Sequence, residues 1–353
     1  MSILRFLLFP FALIYWCATA LRNFLYSKGI YKSSEFDLPI ISVGNLSAGG
    51  TGKTPHVEYL IRLLSTNFNV ATLSRGYGRK KAGFQQANLN STSKDIGDEP
   101  LQFFSKFQPK VHVFVDAKRV DGVIQAIREE PEIDLFLLDD AFQHRAIKPG
   151  HSILLTDYSS PFYNDYILPI GMLREQKSQY KRANTIIVSK CPETLTLNEK
   201  QEITNKINPL PSQTVYFTYL KYGAIKSFNS KNAFINLESI TNYTVLLITG
   251  IAKPKPLIDK LKEKQINHQH LKFPDHHNFS KKNISNIINI FDNINSEKKI
   301  ILTTEKDAIR MKHINELSQL PIFFIEIEVD FIDNKEQFDK DIIDYVRANK
   351  TNS

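Results

Sequence analysis

Val43-Gly44-Asn45-Leu46-Ser47-Ala48-Gly49-Gly50-Thr51-Gly52-Lys53-Thr54-Pro55 has the composition of a phosphate-binding loop set between a strand and a helix. Glycines let backbone N–H groups approach phosphate oxygens, Lys53 would reach the β and γ phosphates, and the Thr54 hydroxyl would ligate Mg²⁺. Apolar Pro39 to Val43 reads as the strand, and Pro55 falls in a first helical turn, where a missing N–H costs little. The common pattern G-x-x-x-x-G-K-[ST] would place glycine at position 47, where this chain has Ser47. Deviant loops of a related branch carry an early lysine, and Ala48 stands at that point here. A glycine-rich turn without a ligand is the plain alternative; strand, lysine and hydroxyl together favour phosphate, with Ser47 to Thr54 as its cradle.

Beyond the loop, apolar runs of strand length alternate with helical patterns, the signature of an α/β fold with a parallel sheet. Strands are expected at Val70 to Leu73, Val111 to Val115, Leu135 to Leu138, Ile153 to Thr156 and Thr185 to Val188, with helices at Pro55 to Leu64, Glu99 to Phe107, Lys118 to Arg128 and Leu197 to Ile207. Leu135 to Leu138 ends in Asp139-Asp140, where a phosphate-loop enzyme holds Mg²⁺ beside the phosphates. A helix cap or turn is the alternative for that pair. Thr214 to Tyr219 and Ala224 to Phe228 read as a linker strand or hairpin, and a smaller α/β unit begins at Thr244 to Thr249. The resulting layout is an N-terminal helix over 1–30, a phosphate-loop domain over 31–212, linker strands over 213–230, a smaller α/β domain over 231–321, and a return strand and helix over 322–353.

The 353 residues carry a formal charge of +8 and 42% hydrophobic content, enough for a sizeable core and suited to an anionic partner. Basic residues are spread rather than clustered with aromatics, so nucleic acid is not expected. Nor does the chain call for an obligate protein partner. Two cysteines, Cys17 and Cys191, make neither a metal cluster nor a disulfide framework. From Phe6 to Leu21 the N-terminus is uncharged and bracketed by Arg5 and Arg22. A secretory signal would explain the Ala18-Thr19-Ala20 stretch but would export a nucleotide-using loop. A spanning helix needs about 20 apolar residues, and this run contains Pro10 and is shorter; a buried core helix is the plain alternative. Phe6, Phe9, Leu13, Trp16, Ala20 and Phe24 recur at spacings of three and four, giving an aromatic face suited to lying in a membrane interface, with Arg22, Lys28 and Lys32 beside it.

Several further segments converge: Ser74-Arg75-Gly76-Tyr77-Gly78-Arg79, Gly97-Asp98-Glu99, Leu138-Asp139-Asp140 running into Ala141-Phe142-Gln143-His144, Leu168-Pro169-Ile170-Gly171-Met172-Leu173-Arg174-Glu175, Thr249-Gly250-Ile251-Ala252-Lys253-Pro254, Phe273-Pro274-Asp275-His276 and Thr304-Glu305-Lys306-Asp307-Ala308. In this order, over nearly the whole chain, they resemble the tetraacyldisaccharide 4'-kinases, the lipid A 4'-kinases of Gram-negative bacteria. The resemblance implies ATP-dependent phosphorylation of the 4'-hydroxyl of an acylated glucosamine disaccharide 1-phosphate, giving lipid IVA at the cytoplasmic face of the inner membrane, with ATP and Mg²⁺ as cofactors. A membrane-associated ATPase or nucleotide switch is the alternative use of the same loop.

A sugar hydroxyl needs a carboxylate to take its proton. The resemblance assigns that task to Asp98 acting with His276, which the phosphate-loop domain and the smaller domain contribute respectively. Read alone, Asp98 is also a good helix N-cap, and His276 has His277 beside it. Arg119 and Arg174 are expected to hold phosphate charge and Glu175 to support the metal; surface ion pairs are the alternative for all three. Ser189-Lys190-Cys191-Pro192 lacks the Asn-Lys-x-Asp that reads guanine, which favours ATP.

Overall fold

The computed structural model describes residues 3–228, 234–235, 237–275, 277–312 and 314–350. The chain divides into two units, Met1–Leu220 with Val329–Ser353 and Lys221–Glu328.

In the first unit, helix α1 (Ile3–Ser27) precedes β1 (Ile40–Asn45), α2 (Lys53–Leu64), β2 (Val70–Ser74), the short β3 (Gln85–Gln86), α3 (Ser93–Ile96), α4 (Asp98–Phe107), β4 (Val111–Val115), α5 (Arg119–Glu129), β5 (Leu135–Asp139), β6 (His151–Asp157), β7 (Thr185–Ser189), α6 (Leu197–Ile207) and the start of β8 (Thr214–Ser227). The strand order is β8-β7-β6-β1-β5-β2-β4-β3, parallel except for the β3–β4 edge pair. Residues of β1, β2, β5 and β7 are buried on both faces, which is why these strands read as continuous apolar runs. Ile40, Leu73, Phe114, Val123 and Phe136 fill one core. Leu46, Phe142, Leu154, Phe162 and Ile186 fill another.

Strand β1 lies between β5 and β6, so the chain builds outward on one side of it and then crosses to the other. In such sheets the crevice for a ligand opens at the carboxyl ends of the strands, at this switch of direction. The loop after β1 therefore sits where the topology leaves room. Gly44 is required on the way: a Cβ there would lie 2.6 Å from Phe142 Cβ and 2.8 Å from its backbone nitrogen.

Much of the expected pattern is present, and three of the readings left open are narrowed. Of the linker strand or hairpin expected after the first boundary, β8 is one continuous strand from Thr214 to Ser227, paired with β7 at its start and with β9 (Phe234–Ile235) at its end. Helix α1 is not the buried core helix of the plain alternative: Leu7, Phe11 and Ile14 are each more than 60% exposed. Of its expected aromatic face, Phe9, Leu13, Trp16 and Phe24 are exposed; the side chain of Phe6 lies outside the described ones. Nor is Asp98 the N-cap of its alternative reading. Gly97, at φ 94, caps α4, and Asp98 is the first helical residue.

The second unit continues through β10 (Thr244–Thr249), α7 (Lys255–Glu263), β11 (His268–Lys272), α8 (Lys281–Asp292), β12 (Lys299–Thr304), α9 (Glu305–Met311) and β13 (Ile322–Phe331), with parallel order β11-β10-β12-β13. Ile225, Val245, Leu257 and Leu302 pack one face of it, and Leu246, Phe273, Ile287 and Ile301 the other. Helix α10 (Lys335–Asn349) belongs to the first unit, where Tyr345 Oη donates to the Ile40 carbonyl at 3.2 Å and Asp341 accepts from Tyr216 at 3.1 Å.

Candidate active site

The loop between β1 and α2 owes its shape to two glycines. Gly49 (φ 116) and Gly52 (φ 83) occupy backbone conformations that side chains disfavour, and Gly52 is the N-cap of α2. Ser47 has no such φ, which removes the reason for glycine there. Its backbone instead bridges to Leu173, while Ala48 N–H donates to Met172 O at 2.6 Å and Arg174 N–H to Leu46 O at 2.7 Å. The first half of the loop is thus stitched to the segment around Leu173. Ser189 Oγ donates to Thr51 O at 2.8 Å, and Lys190 binds both Gly50 O and Asp157, the latter at 3.0 Å. Lys53 and Thr54 open α2, whose unsatisfied N–H groups and dipole favour phosphate.

Asn45 and Asp140 both reach the lysine. Asn45, fully buried, accepts at Oδ1 from Arg174 (2.7 Å) and Lys53 (3.4 Å), and its Nδ2 donates to Thr51 Oγ1 at 2.7 Å. Its carbonyl accepts from Gln143 Nε2 at 2.8 Å. Asp140 lies 3.6 Å from Lys53 Nζ and accepts from Arg174 Nη1 at 3.1 and 3.2 Å. Burial acts to raise the Asp140 carboxyl, but Lys53, Arg174 and Arg119 together hold it below its ordinary value, so it is ionised.

Asp139, buried at the end of β5, stands in register with Val43 of the loop-bearing strand. Ser74 Oγ reaches its Oδ2 at 3.5 Å. Arg119 opens α5 and donates to the carbonyls of Asp116 (2.6 Å) and Asp139 (3.3 Å). Burial lowers Arg119 to about 10, against the pull of Asp139 and Asp140, and it stays a cation at neutral pH. His144 is pushed down to about 4, first by burial and then by Arg119 and Arg75, so it is neutral.

The glycine-rich segment after β2 packs on the turn that starts α4. A Cβ on Gly97 would meet Tyr77 O at 3.0 Å, and one on Gly76 would meet Ile96 O at 2.9 Å. That close fit brings Ser74 to Arg79 against Asp98, at the carboxyl side of β2, the side of the sheet that also bears the loop, the Asp139-Asp140 pair and Arg119.

Not every expected site residue joins this group. Glu175, foreseen beside the metal, has no exposed surface and is clamped between Arg22 and Arg182, the latter at 2.5 Å. Burial raises its carboxyl, opposed by Arg182, Arg22 and Arg145. His276 lies outside the described residues. Its neighbour His277 stacks on Phe273 with ring centres 4.7 Å apart and pairs with Asn283 Oδ1 at 3.0 Å. Nearby in the same unit, Asp307 accepts from Gly250 N–H (2.9 Å) and Thr304 Oγ1 (2.7 Å), which joins two of the matched segments.

Asn45, Gln143 and Lys190 were not singled out from the sequence. All three stood inside quoted segments, and their roles come from contacts across the sheet that spacing along the chain does not carry.

Oxygen donors alone, the Thr54 hydroxyl and the Asp139 carboxylate, suit a hard cation such as Mg²⁺. Among the described residues no group of three or more His, Cys, Asp or Glu could hold a metal. Such an ion would complete its shell with nucleotide phosphates and water, as Mg²⁺ commonly does.

The family described as "Tetraacyldisaccharide-1-P 4'-kinase" matches residues 4–347. A tetraacyldisaccharide 4'-kinase of Flavobacterium johnsoniae is 46% identical over 349 residues, covering 99% of both chains. The protein of that name from Bacteroides thetaiotaomicron is 44% identical, over 98% of this chain and 94% of its own. Among solved structures, the "apo" form of LpxK from Aquifex aeolicus in complex with ATP superposes with a TM-score of 0.76 at 29% identity, covering 98% of this chain and all of that one. With its phosphate loop, its mostly parallel sheet and this end-to-end likeness, the chain belongs to the tetraacyldisaccharide 4'-kinase family.

Proposed function

We infer that this protein transfers the γ-phosphate of ATP to the 4'-hydroxyl of tetraacyldisaccharide 1-phosphate, forming lipid IVA in lipid A biosynthesis. The observation that carries this is the likeness to 4'-kinases over the full chain, with a phosphate loop whose lysine is held by Asn45 and Asp140. Nothing found favours the nucleotide-switch alternative.

The roles follow from position. Lys53, Arg119 and Arg174 place positive charge around the phosphates, where it counts most as charge shifts during transfer. Asp140, ionised and bound to Lys53 and Arg174, orients those two cations. Thr54 and Asp139 would hold Mg²⁺, which neutralises phosphate charge when bound. Asp98, with His276, takes the proton of the attacking hydroxyl as the new O–P bond forms and ADP departs. The packing of His277 within its own unit supports assigning that role to His276. Glu175 is better placed to hold α1 than a metal.

The substrate's acyl chains keep it in a bilayer, since each buried CH₂ is worth about 0.8 kcal/mol, so we place the enzyme at the cytoplasmic face of the inner membrane, held by α1. Residues Leu7–Ser27 are long and apolar enough to cross. However, Tyr15, Thr19, Arg22 and Asn23 bind the first unit through polar contacts, committing the helix from Tyr15 onward. The part before it, 3–14, would rise only about 18 Å at 1.5 Å per residue, against a hydrocarbon core of about 30 Å. Lying in the interface with its apolar face inward is the arrangement these lengths support.

Lys53→Ala and Asp98→Ala test the site. Each should lower phosphorylation of the acylated disaccharide by about 10² to 10³ fold, the loss expected on removing one strong electrostatic or proton-accepting group. Activity retained in both variants would end the assignment.

A further inference from the structure

Helix α1 is joined to three consecutive residues, Arg174, Glu175 and Gln176, the first of which also reaches the nucleotide loop. Tyr15 Oη donates to Arg174 O at 3.0 Å, Arg22 pairs with Glu175, and Gln176 Nε2 donates to Trp16 O (2.9 Å) and Thr19 Oγ1 (3.1 Å). Arg145 Nη1 adds a bond to Asn23 O at 2.7 Å. On its other side the same segment carries the backbone bonds from Arg174 to Leu46 and from Ala48 to Met172, and the Arg174 side chain grips Asn45 and Asp140. Glu175, which pairs with Arg22, directly follows Arg174, which makes the loop contact.

We propose that Glu175 and Arg22 are positioning residues for ATP binding: their pairing seats α1 on the 174–176 segment and thereby fixes Arg174 and the first half of the phosphate loop. Several observations support it. Glu175 is a fully buried carboxylate, and its two oxygens are divided between Arg22 and Arg182, so it has one well-defined orientation. Breaking one partner of such a buried pair leaves charge unpaired and forces the segment to adjust. Because Leu173 bridges to Ser47 and Arg174 N–H holds Leu46, a shift there moves the loop itself. A helix that serves only as a membrane anchor needs none of these contacts; its exposed apolar face would suffice. α1 then has two faces with separate work, an apolar one for the membrane and a polar one that completes the ATP site.

This inference rests on the kinase reading only in taking Lys53 and Thr54 as the ATP site, and a lipid-free binding measurement keeps the two distinguishable. The full chain in detergent micelles is titrated with Mg²⁺-ATP against a fluorescent ATP analogue for wild type, Arg22→Ala, Arg22→Lys and Glu175→Gln. Melting curves and sedimentation with phosphatidylglycerol vesicles accompany each titration. Arg22→Ala should weaken ATP about tenfold, the loss of one charge-assisted contact, while vesicle binding stays within about twofold. Arg22→Lys should recover most of the affinity, and KM for ATP should rise in Arg22→Ala with KM for the lipid unchanged. ATP affinity equal to wild type in Arg22→Ala, measured well below its melting temperature, would overturn the proposal. So would a loss that Arg22→Lys does not rescue. Should Glu175→Gln fail to fold, Arg22→Ala carries the test, since the Arg22 side chain is 39% exposed.

Discussion

Arg174→Lys separates geometry from charge at the centre of the site. The Arg174 guanidinium makes four contacts, two to Asp140, one to Asn45 at 2.7 Å and one to Gln143 at 3.3 Å. Lysine keeps the positive charge, and at about 3 to 4 Å from Asp140 most of the gross attraction, about 4 to 5 kcal/mol at an effective dielectric of 20, survives. The planar fork is lost, because one ammonium cannot span Asp140 and Asn45 at the distances arginine does. Losing two charge-assisted hydrogen bonds at the weak end of their range amounts to about 2 to 3 kcal/mol. That corresponds to a fall in kcat/KM of about 30- to 150-fold. Arg174→Ala also removes the charge and should fall about 10³ fold. Initial rates of labelled phosphate transfer at varied ATP provide the assay. An Arg174→Lys rate within threefold of wild type would mean that Arg174 acts as a bare charge, and the fork geometry would have no role.

Three other changes test separate parts of the structure. Phe11→Asp with Ile14→Asp, both on the exposed face of α1, should abolish sedimentation with vesicles while ATP binding in detergent is retained; unchanged sedimentation would place the anchor elsewhere. His56 is buried, with Nδ1 2.7 Å from Gly52 O, and burial followed by Lys190 lowers it to about 4 from 6.5. Its unfolded form therefore binds the extra proton first, so its stabilising contribution is full above about pH 6.5 and is lost as the pH falls toward 4. Between pH 7 and 5 the loss is about 2 kcal/mol, and His56→Gln should flatten the slope of denaturant stability over that window. Gly44→Ala forces a methyl against the Phe142 backbone and should destabilise by about 1 to 3 kcal/mol, read as a lower melting temperature; an unchanged melting temperature would contradict that close packing.

What could be read in advance was whatever is local. The run Leu135 to Leu138 is apolar because β5 is buried on both faces, and the positive φ of Gly49 and Gly52 is a demand that only glycine meets without strain. The strand-helix alternation that places loop, aspartates and Arg119 on one side of a parallel sheet follows from the same local signals. Relations across the sheet were less accessible. Glu175 follows Arg174 at the end of a matched segment and was expected to support the metal; in space the two side chains part, Arg174 toward Asn45 and Asp140, Glu175 toward Arg22 and Arg182. Asn45 gave no sign in the chain of being the shared acceptor for two cations. Thr214 to Tyr219 and Ala224 to Phe228 read as a linker strand or hairpin, and pairing with neighbouring strands makes them one extended β8.

The central claim is tested most directly by following the phosphate itself. The protein is incubated with γ-labelled ATP, Mg²⁺ and tetraacyldisaccharide 1-phosphate in detergent, and the lipid is recovered and its phosphates assigned by phosphorus NMR. A labelled lipid carrying a second phosphate at the 4' position, absent with Lys53→Ala, is the expected result. Label released only as free phosphate, at a rate indifferent to the lipid, would contradict the account.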